Sequence, residues 1–172
     1  SQQTYGEIST WNVGFVTVMD GLFQQASSFN ADLSAWDVQR VTSFVDTFHG
    51  ASSFEGHGLW AWDVRAAVDL TGMLTFCQSD SFIVDASNWD ISSVTSLRKT
   101  FEFSTHFNSD LSSWDTRSVV SLHGTFNNCL KFNSDISAWN VASVSDFHAM
   151  FLGASAFDGD LSLWNIDSAN DM

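Results

Sequence analysis

Residues 107–126 read FNSDLSSWDTRSVVSLHGTF, and residues 132–151 read FNSDISAWNVASVSDFHAMF. The two stretches share a leading Phe-Asn-Ser-Asp, a tryptophan in the same slot and a closing phenylalanine. Working outward in both directions, the tryptophan recurs as Trp11, Trp36, Trp62, Trp89, Trp114, Trp139 and Trp164. The steps are 25, 26, 27, 25, 25 and 25 residues. Self-similarity at a fixed period of this length is the signature of a repeat architecture, in which each unit buries its apolar face only by stacking on the next.

Two local patterns sit inside each unit. In VTSFVDTFHGA (residues 41–51) apolar residues fall at Val41, Phe44, Phe48 and Ala51, spaced three, four and three. That spacing predicts one stripe of a short helix of about three turns. Thr42, with Thr17, Thr95 and Ser145 in the same slot, is expected to be its N-cap. DLSAWDV (residues 32–38) alternates loosely and reads as a short strand or extended turn. The expected fold class is therefore α/β: one leucine-rich-repeat-like solenoid of about six to seven 25-residue coils, each a short strand plus a short helix. It spans residues 1–172 as a single domain, with units starting near the seven tryptophans. The chain stops at Met172 inside a seventh unit with no visible capping unit, so it reads as a fragment of a longer chain whose uncapped ends are available for stacking.

Stacking places like on like. One column runs Phe23, Phe48, Leu74, Phe101, Phe126, Phe151, and another Phe29, Phe54, Phe82, Phe107, Phe132, Phe157. These are expected to be core rather than a ligand platform, each ring contributing roughly 1.5–3 kcal/mol on burial. The indoles are also expected to be buried, with each N–H needing an acceptor. Cys77 and Cys129 share the slot that Ala26, Ala51 and Ala154 occupy elsewhere. Two coils apart, their Cα atoms are about 10 Å from each other at β-type spacing, beyond disulfide reach, and they read as buried small residues.

The unit F-N-x-D-[IL]-S-x-W-[DN]-V-x-x-V-x-x-[MF]-x-x-x-F-x-G-A-S-x-F resembles the repeat of the BspA-like leucine-rich repeat surface proteins over residues 6–172. The resemblance implies a cell-surface or secreted protein that makes adhesive or other protein–protein contacts. It brings no catalytic residues.

Composition narrows the partners. The net charge is −14, with four arginines and two lysines, and phosphate backbones are gripped by clustered cations, so nucleic acid is excluded. No apolar run of 18 residues occurs, so no transmembrane helix and no membrane insertion are expected. The opening SQQTYGEIST has neither a basic start nor an apolar run and does not read as a signal peptide.

Candidate chemistry is thin. The Asp or Asn after each Trp, and Asp32, Asp85, Asp110, Asp135 and Asp160 before the [IL]-S step, form two polar ladders. They read either as turn-making side chains or as calcium ligands, the former preferred because no glycine-rich calcium loop occurs. His123 and His148 stack below Arg98 in one column, but a metal site needs a third ligand that the repeat does not supply. No phosphate loop, H-E-x-x-H or C-x-x-C is present. No enzyme, catalytic residue, cofactor or metal is therefore expected.

The repeat breaks in two adjacent coils. FEGHGLWAW (residues 54–62) is one residue longer than its counterparts, and CQSDSFIVDASNW (residues 77–89) is two longer. Insertions of this kind bulge from one face of a stack. His57, Trp60, Ile83 and Val84 are the candidate partner-binding residues, against harmless drift between repeats. The leading expectation is a non-enzymatic adhesion or protein-interaction module at a cell surface. The alternatives are a structural or linker subunit of a larger, membrane-associated assembly in an alga or other protist, its location then an organelle, and a glycan- or calcium-binding module.

Overall fold

The computed structural model describes residues 6–172. Its coils stack as the period requires, but the α/β expectation is wrong. Among the described residues the only helices are two three-residue 3-10 turns, Ile8–Thr10 and Leu59–Ala61. No strand forms among the described residues either. A line of isolated parallel bridges links Val18, Ser43, Asp69, Ser96, Ser121, Asp146 and Asp171, one residue per coil. The coil is a chain of tight turns, so it is not the strand-and-helix solenoid of the leucine-rich type.

The segment expected to be helical shows why. The amides of Phe44, Asp46, Phe48 and Gly50 donate to the carbonyls of Asp69, Thr71, Met73 and Thr75 in the next coil at 2.8–3.0 Å. The intervening amides of Thr47, His49 and Ala51 close turns onto Phe44, Asp46 and Phe48 within the coil. In a helix every amide bonds four residues back; here alternate amides leave the coil altogether. A turn with a left-handed third residue recurs every four positions: Asp46 (φ 52°) and Gly50 (φ 74°), then Gly72 and Phe76, Lys99 and Phe103, Gly124 and Asn128, Ala149 and Gly153. A four-residue turn repeat puts positions i and i+4 on one face, as a helix does, so apolar spacing alone does not separate the two.

The threonines expected to be N-caps have a different partner. Thr42 and Thr95 direct their hydroxyls at the carbonyls of Thr17 and Val68 in the preceding coil, each at 3.2 Å. They donate between coils rather than accepting from a helix start.

The apolar columns form one continuous core from Val13 to Met150. Phe101 and Phe126 lie 5.8 Å apart and parallel within 1°, and Phe126 stacks on Phe132 at 3.7 Å. The tryptophans stack in register, Trp36 on Trp62 at 6.4 Å and Trp114 on Trp139 at 5.9 Å. Six indole N–H groups donate to a carbonyl of the preceding coil: Trp36 to Ile8, Trp62 to Leu33, Trp89 to Leu59, Trp114 to Ala86, Trp139 to Leu111 and Trp164 to Ile136, at 2.9–3.2 Å, while Trp11, expected to be buried, is 41% exposed. Each of these carbonyls also closes a turn by accepting the amide three residues on, so the indole is its second donor, and the buried N–H is satisfied.

The tandem-turn reading has a clean test at Gly124 (φ 62°), where an added Cβ meets nothing closer than 3.4 Å. Gly124→Ala would stabilise a helix by about 1 kcal/mol. In this coil it forces a Cβ into the left-handed region and lowers unfolding stability by about 1–2 kcal/mol. Urea denaturation of the variant distinguishes the two by sign.

Candidate functional site

Turn chemistry accounts for the polar ladders. Asp32, Asp85, Asp110, Asp135 and Asp160 each accept the amide two residues on, from Ser34, Ser87, Ser112, Ser137 and Ser162, at 2.9–3.0 Å. The residue after each tryptophan does the same. Asn12, Asp37, Asp63, Asp90, Asp115, Asn140 and Asn165 accept from Gly14, Gln39, Arg65, Ser92, Arg117, Ala142 and Asp167 at 3.0–3.3 Å. Both ladders are therefore Asx turns, repeated coil after coil on exposed edges of the stack. No group of three or more His, Cys, Asp or Glu side chains suited to a metal ion occurs among the described residues.

These bonds shift the carboxylates. The backbone amides of Ser34, Ser112, Ser137 and Ser162 hold Asp32, Asp110, Asp135 and Asp160 below the ordinary value of 3.8. At Asp85 and Asp90 the hydroxyls of Ser87 and Ser92 are the larger cause, with the amides second.

The small-residue column is polar where it is not alanine. Ser104 stands between Cys77 and Cys129, and its Oγ accepts the Cys77 amide at 3.2 Å. The Cys129 thiol donates to the Phe101 carbonyl at 2.9 Å and that of Cys77 to the Phe48 carbonyl at 3.5 Å. Both cysteines are free and buried, and burial pushes both thiols up. They are unreactive packing residues. In the histidine column, His123 and His148 stack at 5.0 Å, and Asp146 stands 3.5 Å from His123 and 3.9 Å from Arg98. His148 lies 3.5 Å from Asp171. The column is a partly exposed ladder of imidazole and guanidinium groups facing carboxylates.

The irregular coils divide the four expected contact residues. Trp60 is 62% exposed and Ile83 78%. His57 is open to solvent and pairs with Glu55 at 3.0 Å. Val84 is the correction: it is buried in the core at 4% exposure. The reason lies across the coil boundary, where a Cβ on Gly56 would stand 2.7 Å from the Val84 Cγ2. The glycine leaves a hollow in one coil, and the valine of the next coil fills it. Gly58 (φ 90°) allows a second close approach, since a Cβ there would collide with the backbone of Leu33 and Ser34. The extra residues are thus partly absorbed into the stack, leaving Trp60 and Ile83 as its outward apolar points.

Sequence reasoning passed over one exposed feature. Phe76 and Phe103 occupy the left-handed turn position (φ 57° in both) that Gly50 and Gly153 fill elsewhere. Their rings stack at 4.5 Å, parallel within 3°, with His49 beside Phe76 at 5.8 Å. The signal was a bulky residue where the repeat otherwise accepts Gly, Asn or Gln, legible only once the slot is known to be left-handed.

Comparison with known families brings a match along the whole chain. The profile of a family described as "Mycoplasma protein of unknown function, DUF285" matches residues 1–83 and again residues 74–172. The chain belongs to this family. The match is to that family and not to a leucine-rich repeat, which agrees with a coil lacking strand and helix. No curated protein and no solved structure matches the chain.

The depressed aspartates give a pH dependence of known sign. Their folded-state values lie below the ordinary 3.8, so the folded state binds fewer protons than the unfolded one as pH falls. Their contribution is fully present above about pH 5 and is lost as the pH drops through the folded values. Melting scans between pH 6 and pH 3 are expected to show a midpoint that falls below about pH 4.

Proposed function

We propose that the protein is a non-enzymatic protein-interaction module of the adhesive, surface-displayed kind, contacting its partner through the outer faces of the coil stack. The observation that carries this reading is where the chemistry-bearing side chains go. Aspartates serve turns, hydroxyls and thiols serve carbonyls of neighbouring coils, and the indoles of Trp36, Trp62, Trp89, Trp114 and Trp139 are buried with their N–H groups bonded. A buried tryptophan row is not a platform for sugar rings. Among the apolar side chains left outward in the irregular coils, Trp60 and Ile83 are the most exposed, and large exposed aromatic and aliphatic side chains are typical contact points. The surface location rests on the resemblance of the repeat unit to that of the BspA-like surface proteins.

The net charge of −14 favours a partner with a cationic contact face, reached by electrostatic steering. Fluorescently labelled protein titrated onto intact cells of the source culture should bind saturably and lose its sites when the cells are treated with protease. The Trp60→Ser/Ile83→Ser double variant is expected to bind at least about tenfold more weakly. Its melting midpoint should hold, since both side chains are exposed. Binding that is unsaturable, indifferent to protease, or unchanged in the double variant overturns the reading.

A further inference from the structure

Where the coil of Trp89 meets that of Trp114, the side chains of Lys99, Glu102, Asn127 and Asn128 converge. Lys99 stands in the left-handed slot (φ 55°) that Gly21, Gly72 and Gly124 fill in other coils, a conformation that disfavours any residue with a Cβ. Glu102, three residues on, is buried to 7% exposure, and Asn127 in the next coil to 8%. The Glu102 carboxylate bridges the other two. Its Oε2 lies 3.2 Å from the Lys99 Nζ, and its Oε1 accepts the Asn127 Nδ2–H at 2.7 Å. On the far side, the Asn127 Oδ1 accepts the Asn128 Nδ2–H at 2.6 Å. Both amide orientations are forced, because an ionised carboxylate and a carbonyl oxygen can only accept. Gly124 opens the space around them: a Cβ there would stand 3.4 Å from the Lys99 Cγ, 3.5 Å from the Glu102 Oε1 and 3.9 Å from the Asn127 Cβ.

The geometry points to a self-processing site, at which Lys99 and Asn127 condense into an intramolecular isopeptide bond with Glu102 as the proton carrier. Such a bond needs an amine, a carboxamide and a carboxyl group in contact with both, and the three stand in that arrangement. Glu102 takes a proton from the Lys99 ammonium, and the freed amine attacks the Asn127 Cγ. The negative charge that builds on Oδ1 falls on the atom at which the Asn128 Nδ2–H is already aimed. Glu102 Oε1, in contact with Nδ2, then delivers the proton to the departing nitrogen. The Nζ–Cγ bond forms and the Cγ–Nδ2 bond breaks. Of the three ammonium protons, one stays on the new amide and two leave with the nitrogen as ammonium. Glu102 ends as it began, and nothing is oxidised or reduced. An ordinary i,i+3 ion pair sits in water and contributes little. Here the carboxylate side chain is 9% exposed, and its second oxygen is committed to a carboxamide of another coil. That burial holds the reacting groups in one arrangement. The product would tie two coils together across the kind of interface at which stacked repeats separate. It uses neither Trp60 nor Ile83, so this inference stands independently of the proposed function.

Intact-mass spectrometry of the folded whole chain reads the reaction directly. The wild-type protein is expected to be lighter than its sequence mass by one ammonia, and its digest to contain the Lys99 segment joined to the Asn127 segment. Glu102→Gln removes the proton carrier, and Lys99→Arg keeps a cation beside Glu102 without the nucleophile. Each variant should show its full sequence mass. Lys99→Arg should still unfold cooperatively, at a midpoint below that of the linked protein. A folded wild-type chain that stays at full mass on incubation at neutral pH overturns the inference. So does an ammonia loss that survives in Lys99→Arg, which would place it in a cyclic imide at an asparagine and not in a cross-link. A cross-link that forms equally in Glu102→Gln overturns the role given to Glu102.

Discussion

The fold depends on a division of labour between alternate amides. Within residues 44–51, one amide in two closes a turn and the other crosses to the next coil. This works only if the chain visits the left-handed region every fourth residue, and it does so at Asp46, Lys99, Asn128 and Ala149 as well as at glycines. Each non-glycine residue there costs about 1–2 kcal/mol. The crossing bonds and the aromatic columns offset that cost, but only when a neighbouring coil is present. An isolated coil would have the strain without the bonds. Stability is accordingly a property of interfaces between coils, as in other stacked-repeat proteins.

The same constraint explains the side chains that looked chemical. In a turn-built coil each of the inward carbonyls that meet these side chains accepts the amide three residues on and keeps a second lone pair for further donors. The structure provides them from the following coil at a fixed offset: indole N–H groups on Leu33, Leu59, Ala86, Leu111 and Ile136, threonine hydroxyls on Met19, Leu70 and Leu97, and a thiol on Phe101. No buried side-chain nitrogen or oxygen lacks a partner among the described residues. The tryptophan repeats for two reasons at once, as a ring that stacks on its neighbour and as a donor that reaches back one coil. Cysteine, serine and alanine interchange in one column because all are small, and two of them add a donor.

The contact surface was legible only in part. Trp60 and Ile83 stand out from the sequence because they interrupt a known period, and both are exposed. Val84 interrupts it equally and is buried, because Gly56 in the preceding coil has no Cβ. Exposure of an inserted residue depends on what the adjacent coil leaves empty, and no pattern within a single unit records that. The aromatic pair Phe76–Phe103 was hidden for a related reason: its slot becomes unusual only when its backbone angle is known.

The sequence by itself determined the period, the columns and the burial of their interior members, although Trp11 is 41% exposed and Phe29, Phe151, Phe157 and Trp164 are only partly buried. Seven tryptophans at nearly constant spacing and two phenylalanine rows admit little besides a stack with like residues in contact. It also placed the aspartates correctly in turns, since Asx chemistry is local to three residues. What it did not determine was the backbone inside the coil. Apolar residues at i and i+4 fit a helix and a run of tandem turns equally, and the glycines at 21, 72 and 124, recurring inside the supposed helix, were the one local sign against it. Only the tertiary structure decided between them, because the deciding bonds join residues about 25 apart, and whether an amide turns back on its own coil or crosses to the next is settled by the neighbour that receives it.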